Sequence, residues 1–243
     1  MAQYTTEAII LGVKNWGEAD KLLWFFSREQ GKLRAVAYGA RRARSLLAGP
    51  LQPFNLVSVT LSEGDRLDIV RQCSVGKRYR KLTEDLTAMA YASFVAELTL
   101  ELCPEHEPQP ELYDELGKIF VAFEKRNPRL VALSAAYKLF QIEGLALSSQ
   151  NCVHCGSKLV GDGWFDVKEG GALCEECTSG AAMEYRAGTR ELIHLLEMVD
   201  LEKDKTFSIK GADLNAAEVI MLSYLAEITE KPLKSLNFIA QLN

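Results

Sequence analysis

Four cysteines between Asn151 and Thr178 constrain this chain more than any other feature. Two residues separate Cys152 from Cys155, two separate Cys174 from Cys177, and eighteen lie between the pairs, giving C-x2-C-x18-C-x2-C. A two-residue gap lets two thiolates converge on one ion from a tight turn, and a second such turn completes a tetrahedron. The spacing is that of a structural zinc site. Gly156 follows the first pair and Thr178 the second, while Gly161-Asp162-Gly163 and Glu169-Gly170-Gly171 flank Trp164–Lys168, a run that suits one strand of a small ribbon. Such a ribbon has little core of its own, so the metal must supply much of its folding free energy, roughly 10–16 kcal/mol apparent in small zinc modules. Two disulfides, or four unrelated buried thiols, are the competing readings, and the paired spacing disfavours both. Four thiolates leave no open position for water, so the expected Zn2+ is structural rather than catalytic. His154 is expected to face outward on the first turn rather than replace a cysteine.

At 243 residues the chain can hold one large domain or two to three small ones. No apolar run is long enough to span a bilayer, and Met1-Ala2-Gln3-Tyr4 carries no basic segment ahead of an apolar stretch, as a secretory signal would. Cys73 and Cys103 stand apart in apolar surroundings and read as buried thiols. With the metal pattern, they point to a reducing cytoplasm. The net charge of −5 conceals a split, because residues 1–81 balance at +7 and residues 82–243 at −12. Polyanion binding is therefore expected in the first third alone.

Residues 1–81 read as a small all-β domain, with strands expected at Glu7–Lys14, Lys21–Ser27, Leu33–Tyr38, Phe54–Ser62 and Arg66–Ser74. Val57, Val59 and Leu61 alternate with Ser58 and Thr60, the pattern of a half-buried strand. Five short strands in so few residues fit a closed or partly open barrel, of which the OB-fold is the commonest form. Tyr38-Gly39-Ala40-Arg41-Arg42-Ala43-Arg44-Ser45 would make a phosphate-seeking loop after a strand. Arg28, Lys32 and Arg34 lie upstream, and Lys77, Arg78, Arg80 and Lys81 close the domain. Guanidinium groups grip phosphate bidentately and lysines act as point charges. These residues, with Tyr38, are the candidate nucleic-acid contacts, although a charge run can equally be a solvated face. Among the aromatics, most must fill the barrel; Tyr38 beside the loop and Trp16 in a turn are the ones expected to be exposed for base stacking.

From Leu82 the texture is helical. Thr83 is expected to cap a helix running to about Leu102 that is apolar on more than one face. Leu112, Leu116, Ile119, Phe120 and Phe123 form a clean stripe. Pro128 should open a third helix to about Leu145. After the ribbon, Thr189 should cap a fourth helix, Asn215–Glu218 should form a capping box ahead of Val219–Ile228, and a last helix should lie near Pro232–Leu242. Three helices on each side of the ribbon imply that it is an insertion in one bundle. The expected architecture is α+β and multidomain: an OB-fold β-barrel at 1–81, a helical domain at 82–150 and 179–243, and a four-cysteine zinc-ribbon module at 151–178.

This order of parts resembles the RecO family of bacterial recombination mediators, over essentially the whole chain. The most recognisable pieces are Glu7-Ala8-Ile9-Ile10-Leu11, Gly17-Glu18-Ala19-Asp20, Gly39-Ala40-Arg41-Arg42 followed by Leu51-Gln52-Pro53-Phe54, the cysteine quartet and Pro232-Leu233-Lys234-Ser235. The resemblance implies a non-enzymatic, cytoplasmic, nucleoid-associated DNA repair protein with no membrane association. It would bind single- and double-stranded DNA, anneal complementary strands, and help load the RecA recombinase onto DNA coated by single-stranded DNA-binding protein. It also implies RecR, the C-terminal tail of single-stranded DNA-binding protein and RecF as partners. Arg41, Arg42 and Arg44 match the family's basic loop.

Three other classes compete. A zinc nucleobase deaminase needs His-x-Glu and a later Pro-Cys-x-x-Cys with one open ligand position. The three histidines, His106, His154 and His194, begin no such motif, and no phosphate loop of the G-x-x-x-x-G-K-S/T type occurs. A zinc-ribbon RNA-binding or ribosome-associated factor would use the same parts. An adaptor would bind proteins through its helices and carry its basic face incidentally.

Overall fold

A bulged first strand does most of the work of closing the N-terminal sheet. In the computed structural model, which describes residues 2–178, 180–203, 208–229 and 231–242, β1 (Gln3–Trp16) is long enough to pair with two partners. Its second half runs antiparallel to β2 (Asp20–Ser27) and its first half to β4 (Leu56–Ser62), with a register shift between Ile10 and Gly12. β3 (Gly31–Ala37) pairs with β2, and β5 (Asp68–Lys77) pairs with β4 and, in parallel, with β3. The order β1-β2-β3-β5-β4 closes a barrel, the strand connectivity of an OB-fold.

Inward positions follow the expected alternation: Ala8, Ile10, Leu23, Phe25, Leu33, Ala35, Val57, Val59 and Leu61 are buried in one core. Strand centres agree with the sequence expectation, whereas β1 begins earlier and β5 is shifted toward its C-terminal end, where Gln3–Thr5 and Val75–Lys77 complete the ladders with β4.

The helices are α1 (Lys81–Glu84), α2 (Leu86–Leu102), α3 (Pro110–Lys125), α4 (Pro128–Ile142), α5 (Ala187–Met198), α6 (Gly211–Ile228) and α7 (Lys234–Ala240). α2 is buried on several faces, and the α3 stripe from Leu112 to Phe123 is fully buried. Three expected caps are corrected. Asp85, not Thr83, caps α2, its carboxylate accepting from the Ala88 amide at 3.0 Å, while the Thr83 hydroxyl donates back to the Arg80 carbonyl. Thr189 lies inside the first turn of α5 and donates to Asp213. Asn215 and Glu218 lie inside α6 and are both taken by Arg129, which donates to Asn215 Oδ1 at 2.7 Å and pairs with Glu218.

The expectation of one helical bundle is also corrected. The chain forms two compact units, residues 1–128 with 233–243, and residues 129–232. In the first, α2 packs on β1 of the barrel and on α7, so a helix from the end of the chain is held in the unit through α2. The α7 start is fixed by Glu97 of α2, whose carboxylate accepts from the Lys234 and Ser235 amides at 2.9 and 2.7 Å. The second contains α4, α5, α6 and the cysteine module; Ser179, where the last segment was expected to begin, lies outside the described residues. In this unit a three-stranded sheet, β7-β6-β8, is formed by β6 (Gly163–Asp166), β7 (Gly171–Leu173) and β8 (Met183–Tyr185).

Candidate nucleic-acid interface and metal centre

The loop that follows β3 is tied to the β1–β2 turn. The Arg41 amide donates to the Ala19 carbonyl at 2.8 Å, and the Arg41 guanidinium reaches the carbonyls of Gly17 and Glu18 at 3.4 and 3.1 Å. Asp20 accepts from the Gly39 amide at 2.7 Å. At Gly39 a positive φ of 64° turns the chain, a conformation that side chains resist. These bonds hold a mobile-looking sequence in one place, and Arg41 is spent on that task.

Arg42 and Arg44 remain exposed beside it, with no ion pair among the described residues. Positive charge is concentrated here: burial, and then the Arg41 guanidinium, lower the pKa of Lys21, whose amine donates to the Leu51 carbonyl at 2.8 Å. Trp16 and Tyr38 are 47% and 61% exposed at this end of the barrel, the two aromatics for which exposure was expected.

A second group lies where the barrel hands over to the helices. Lys77, Arg78 and Arg80 are exposed and Lys81 half-buried. The Lys77 amine sits 5.1 Å from the Tyr79 ring centre, and Arg80 forms an exposed i,i+4 pair with Glu84 at 2.7 Å. Lys81 reaches the Arg126 carbonyl. Arg78 has no acid partner among the described residues and lines a cavity of about 340 Å³ with Gly49, Gln52 and Asn55. The walls of this cavity escaped sequence reasoning, since Gln52 and Asn55 are ordinary amides until the loop brings them beside Arg78.

Arg28, Lys32 and Arg34 have other business. Arg28 pairs with Asp114 of α3 and lies over the Tyr113 ring, Lys32 donates to the Leu100 carbonyl of α2 at 2.8 Å, and Arg34 pairs with Glu105 at 3.0 Å. Together they bond the β2–β3 hairpin to α2, to α3 and to the segment between them.

The four cysteine sulfurs meet within 4.8 Å of one another. Zn–S bonds of about 2.3 Å set the edges of a tetrahedron near 3.8 Å, and the Cys155–Cys174 sulfurs stand 3.7 Å apart. Burial raises the Cys152 thiol, but backbone N–H groups of Cys155, Cys174 and His154 outweigh it and hold it down to about 6. The Cys174 and Cys155 sulfurs push Cys177 the other way. Thiolates this close repel each other, so the set ionises fully only around a cation. The donors fit a tetrahedral, thiophilic ion. His154 is exposed, as expected, and stays outside the cluster.

The first knuckle is stitched to the sheet through Val153 N to Ala172 O and Ala172 N to Ser148 O, at 2.9 and 2.8 Å. A Cβ on Gly171 would stand 2.0 Å from the Val153 side chain, so the approach demands glycine. Glu169, Glu175 and Glu176 are exposed and keep the module's surface acidic. Cys73 and Cys103 stand apart from the cluster; burial pushes the half-buried Cys73 thiol up to about 11.

No helix among the described residues is long and apolar enough to cross a membrane. The model for the N-terminal part of Recombination protein O matches residues 1–79, and that for its C-terminal part matches residues 83–237. The chain is 32% identical over 241 residues to a DNA repair protein RecO of Pelotomaculum thermopropionicum, covering 98% of this chain and 94% of that one. It is 32% identical to the DNA repair protein RecO of Symbiobacterium thermophilum, covering 98% and 97%, and 33% identical to that of Bifidobacterium animalis over 82% and 84%. With family models matching both halves of the chain and relatives about 30% identical along nearly its whole length, this chain belongs to the RecO family of DNA repair proteins.

Proposed function

We propose that this protein is a non-enzymatic mediator of DNA repair and homologous recombination. It binds single- and double-stranded DNA, anneals complementary strands, and helps load RecA onto DNA covered by single-stranded DNA-binding protein. The observation that carries the DNA-binding part is the exposed pair Arg42 and Arg44 on a loop that Arg41 and Asp20 hold against the β1–β2 turn. Guanidinium groups held in this way meet phosphates without reading bases, which is what annealing of arbitrary sequences requires. Trp16 and Tyr38 beside them offer faces on which any base can stack.

Tyr38, Arg42, Arg44, Lys77, Arg78 and Arg80 are the residues we assign to DNA, with Arg41 and Lys81 supporting them. Arg28, Lys32 and Arg34 would serve mainly to bond the barrel to its helices. The four clustered cysteines would hold a structural Zn2+, supplying a cross-link where the ribbon has little core. RecR, RecF and the tail of single-stranded DNA-binding protein are the partners the family reading implies, in a cytoplasmic, nucleoid-associated setting.

A strand-annealing assay with and without single-stranded DNA-binding protein tests the proposal. Expected are acceleration of annealing by the purified protein on naked strands and retention of that activity on coated strands. An uncatalysed rate in both would reject it.

A further inference from the structure

The cavity beside Arg78 has a shape and a chemistry that general phosphate contact does not call for. It is a half-open depression of about 340 Å³, at the small end of ligand sites, which run from about 300 to 1,000 Å³. Its rim carries two guanidinium groups. Arg78 is exposed with no acid partner among the described residues, and Arg80 is held only by an exposed pair with Glu84. Surface pairs of that kind contribute little and yield readily to a phosphate.

Its walls carry the amides of Gln52 and Asn55, each offering a donor and an acceptor. The Asn55 amide is oriented by donation to the Pro50 carbonyl at 2.9 Å and Gln52 by donation to the Ala48 carbonyl at 2.7 Å, which leaves their amide oxygens as the natural acceptors for a base edge. Gly49 forms one side without any side chain: a Cβ there would meet only the Arg78 guanidinium, at 4.0 Å. Arg42, Arg44 and the Gly49, Gln52 and Asn55 part of the lining all belong to the segment between β3 and β4.

We propose that this cavity receives one unpaired nucleotide of a bound strand. Its phosphate would lie on Arg78 and Arg80 and its base against the Gln52 and Asn55 amides. A duplex offers no such nucleotide, because its base edges are already paired, so the pocket would favour single strands and hold one base unstacked. This inference rests on the DNA-binding reading above and adds to it a site that separates single strands from duplexes.

Gly49→Leu tests it, because that substitution fills the cavity while leaving every charge in place, and the backbone at Gly49 is not in the left-handed region. The full-length protein would be titrated with a single-stranded oligonucleotide carrying 2-aminopurine and with the matching duplex. Wild type should bind the single strand more tightly and brighten the reporter as one base leaves its stack. Gly49→Leu should weaken single-strand binding about tenfold, of the order of one lost base contact, and abolish the brightening, with duplex affinity unchanged. Arg78→Ala should weaken the single strand more than the duplex.

Deoxynucleoside monophosphate should also compete for the site better than inorganic phosphate in wild type, and equally poorly in Gly49→Leu. Equal behaviour of wild type and Gly49→Leu on the single strand would overturn the pocket while leaving backbone binding standing. Equal competition by inorganic phosphate would reduce it to an anion site and overturn the nucleotide assignment. Failure of wild type to bind either DNA at low salt would overturn both readings.

Discussion

Glu197 is a buried carboxyl, 8% exposed, on α5. Desolvation raises its pKa from 4.5 to about 7. Its charge is felt by the buried hydroxyls of Tyr137 and Tyr185, and the exposed His194 ring is 3.8 Å away, too far for a good hydrogen bond. Tyr137 donates to the Ala217 carbonyl at 2.8 Å, whereas the Tyr185 hydroxyl is buried with no hydrogen-bond partner among the described residues. Between pH 4.5 and 7 the folded protein keeps a proton on Glu197 that the unfolded chain has released. Stability contributed here must therefore fall as pH rises through that window. Glu197→Gln, neutral at every pH, should remove the fall and be more stable than wild type at pH 8 by about 1–2 kcal/mol. Urea denaturation from pH 5 to pH 8 checks this; parallel pH profiles for the two proteins would refute it. None of this is legible in the chain, because no local pattern reports that a charged residue of α5 is buried against Tyr137 and Tyr185. Trp16 and Tyr38 were legible, since a turn position and a place beside an arginine run already argue against burial.

Among the elements, the β2–β3 hairpin shows how a short turn can be fixed from outside. Gly31 has φ 64°, and a Cβ there would stand 1.9 Å from the Glu107 carbonyl oxygen. The His106 amide donates to the Lys32 carbonyl at 2.9 Å, so the segment after α2 lies across the hairpin like an added strand. Gly31→Ala faces both a left-handed backbone and a backbone clash, and should cost about 2–4 kcal/mol in denaturant unfolding of the full chain. A loss below measurement error would show that the segment moves away freely. In the sequence Gln30-Gly31-Lys32 marks the turn, but Pro104, Pro108 and Pro110 signal only a break after α2 and nothing of the segment's place over the hairpin. The cysteine module was the most legible element, since its spacing alone specifies convergence of four thiols. Its strand was placed within two residues, at Gly163–Asp166. Chelation should unfold the ribbon and lower the overall melting temperature. With acidic Glu169, Glu175 and Glu176 outward, it should alter single-strand affinity at low salt by less than about twofold, since metal supplies folding free energy rather than phosphate contacts. A larger loss of affinity would place the module on the DNA.

At the scale of the molecule, charge is partitioned as the sequence announces, +7 in residues 1–81 and −12 beyond. What could not be read was how much of the positive charge is already neutralised within the fold. Arg28 and Arg34 are held by Asp114 and Glu105, contributed by segments 71 residues or more further along, and no local pattern reports a partner at that separation. Helix α7 likewise joins the first unit by packing on α2, which is why the single bundle expected from helix order is absent. The free cations are therefore fewer than the total, and this can be measured. Each phosphate contact on single strands contributes about −0.7 to the slope of log K against log[salt]. Arg42→Ala with Arg44→Ala should make the slope shallower by about 1.4, while Arg28→Ala or Arg34→Ala should leave it within about 0.3 of wild type, since a cation already paired releases no counterions from DNA. Titrations of one oligonucleotide between about 50 and 300 mM salt, the range over which such slopes are read, separate the two groups. If the slope falls equally in all these variants, the pairs with Asp114 and Glu105 open when DNA binds, and the hairpin belongs to the interface along with the loop.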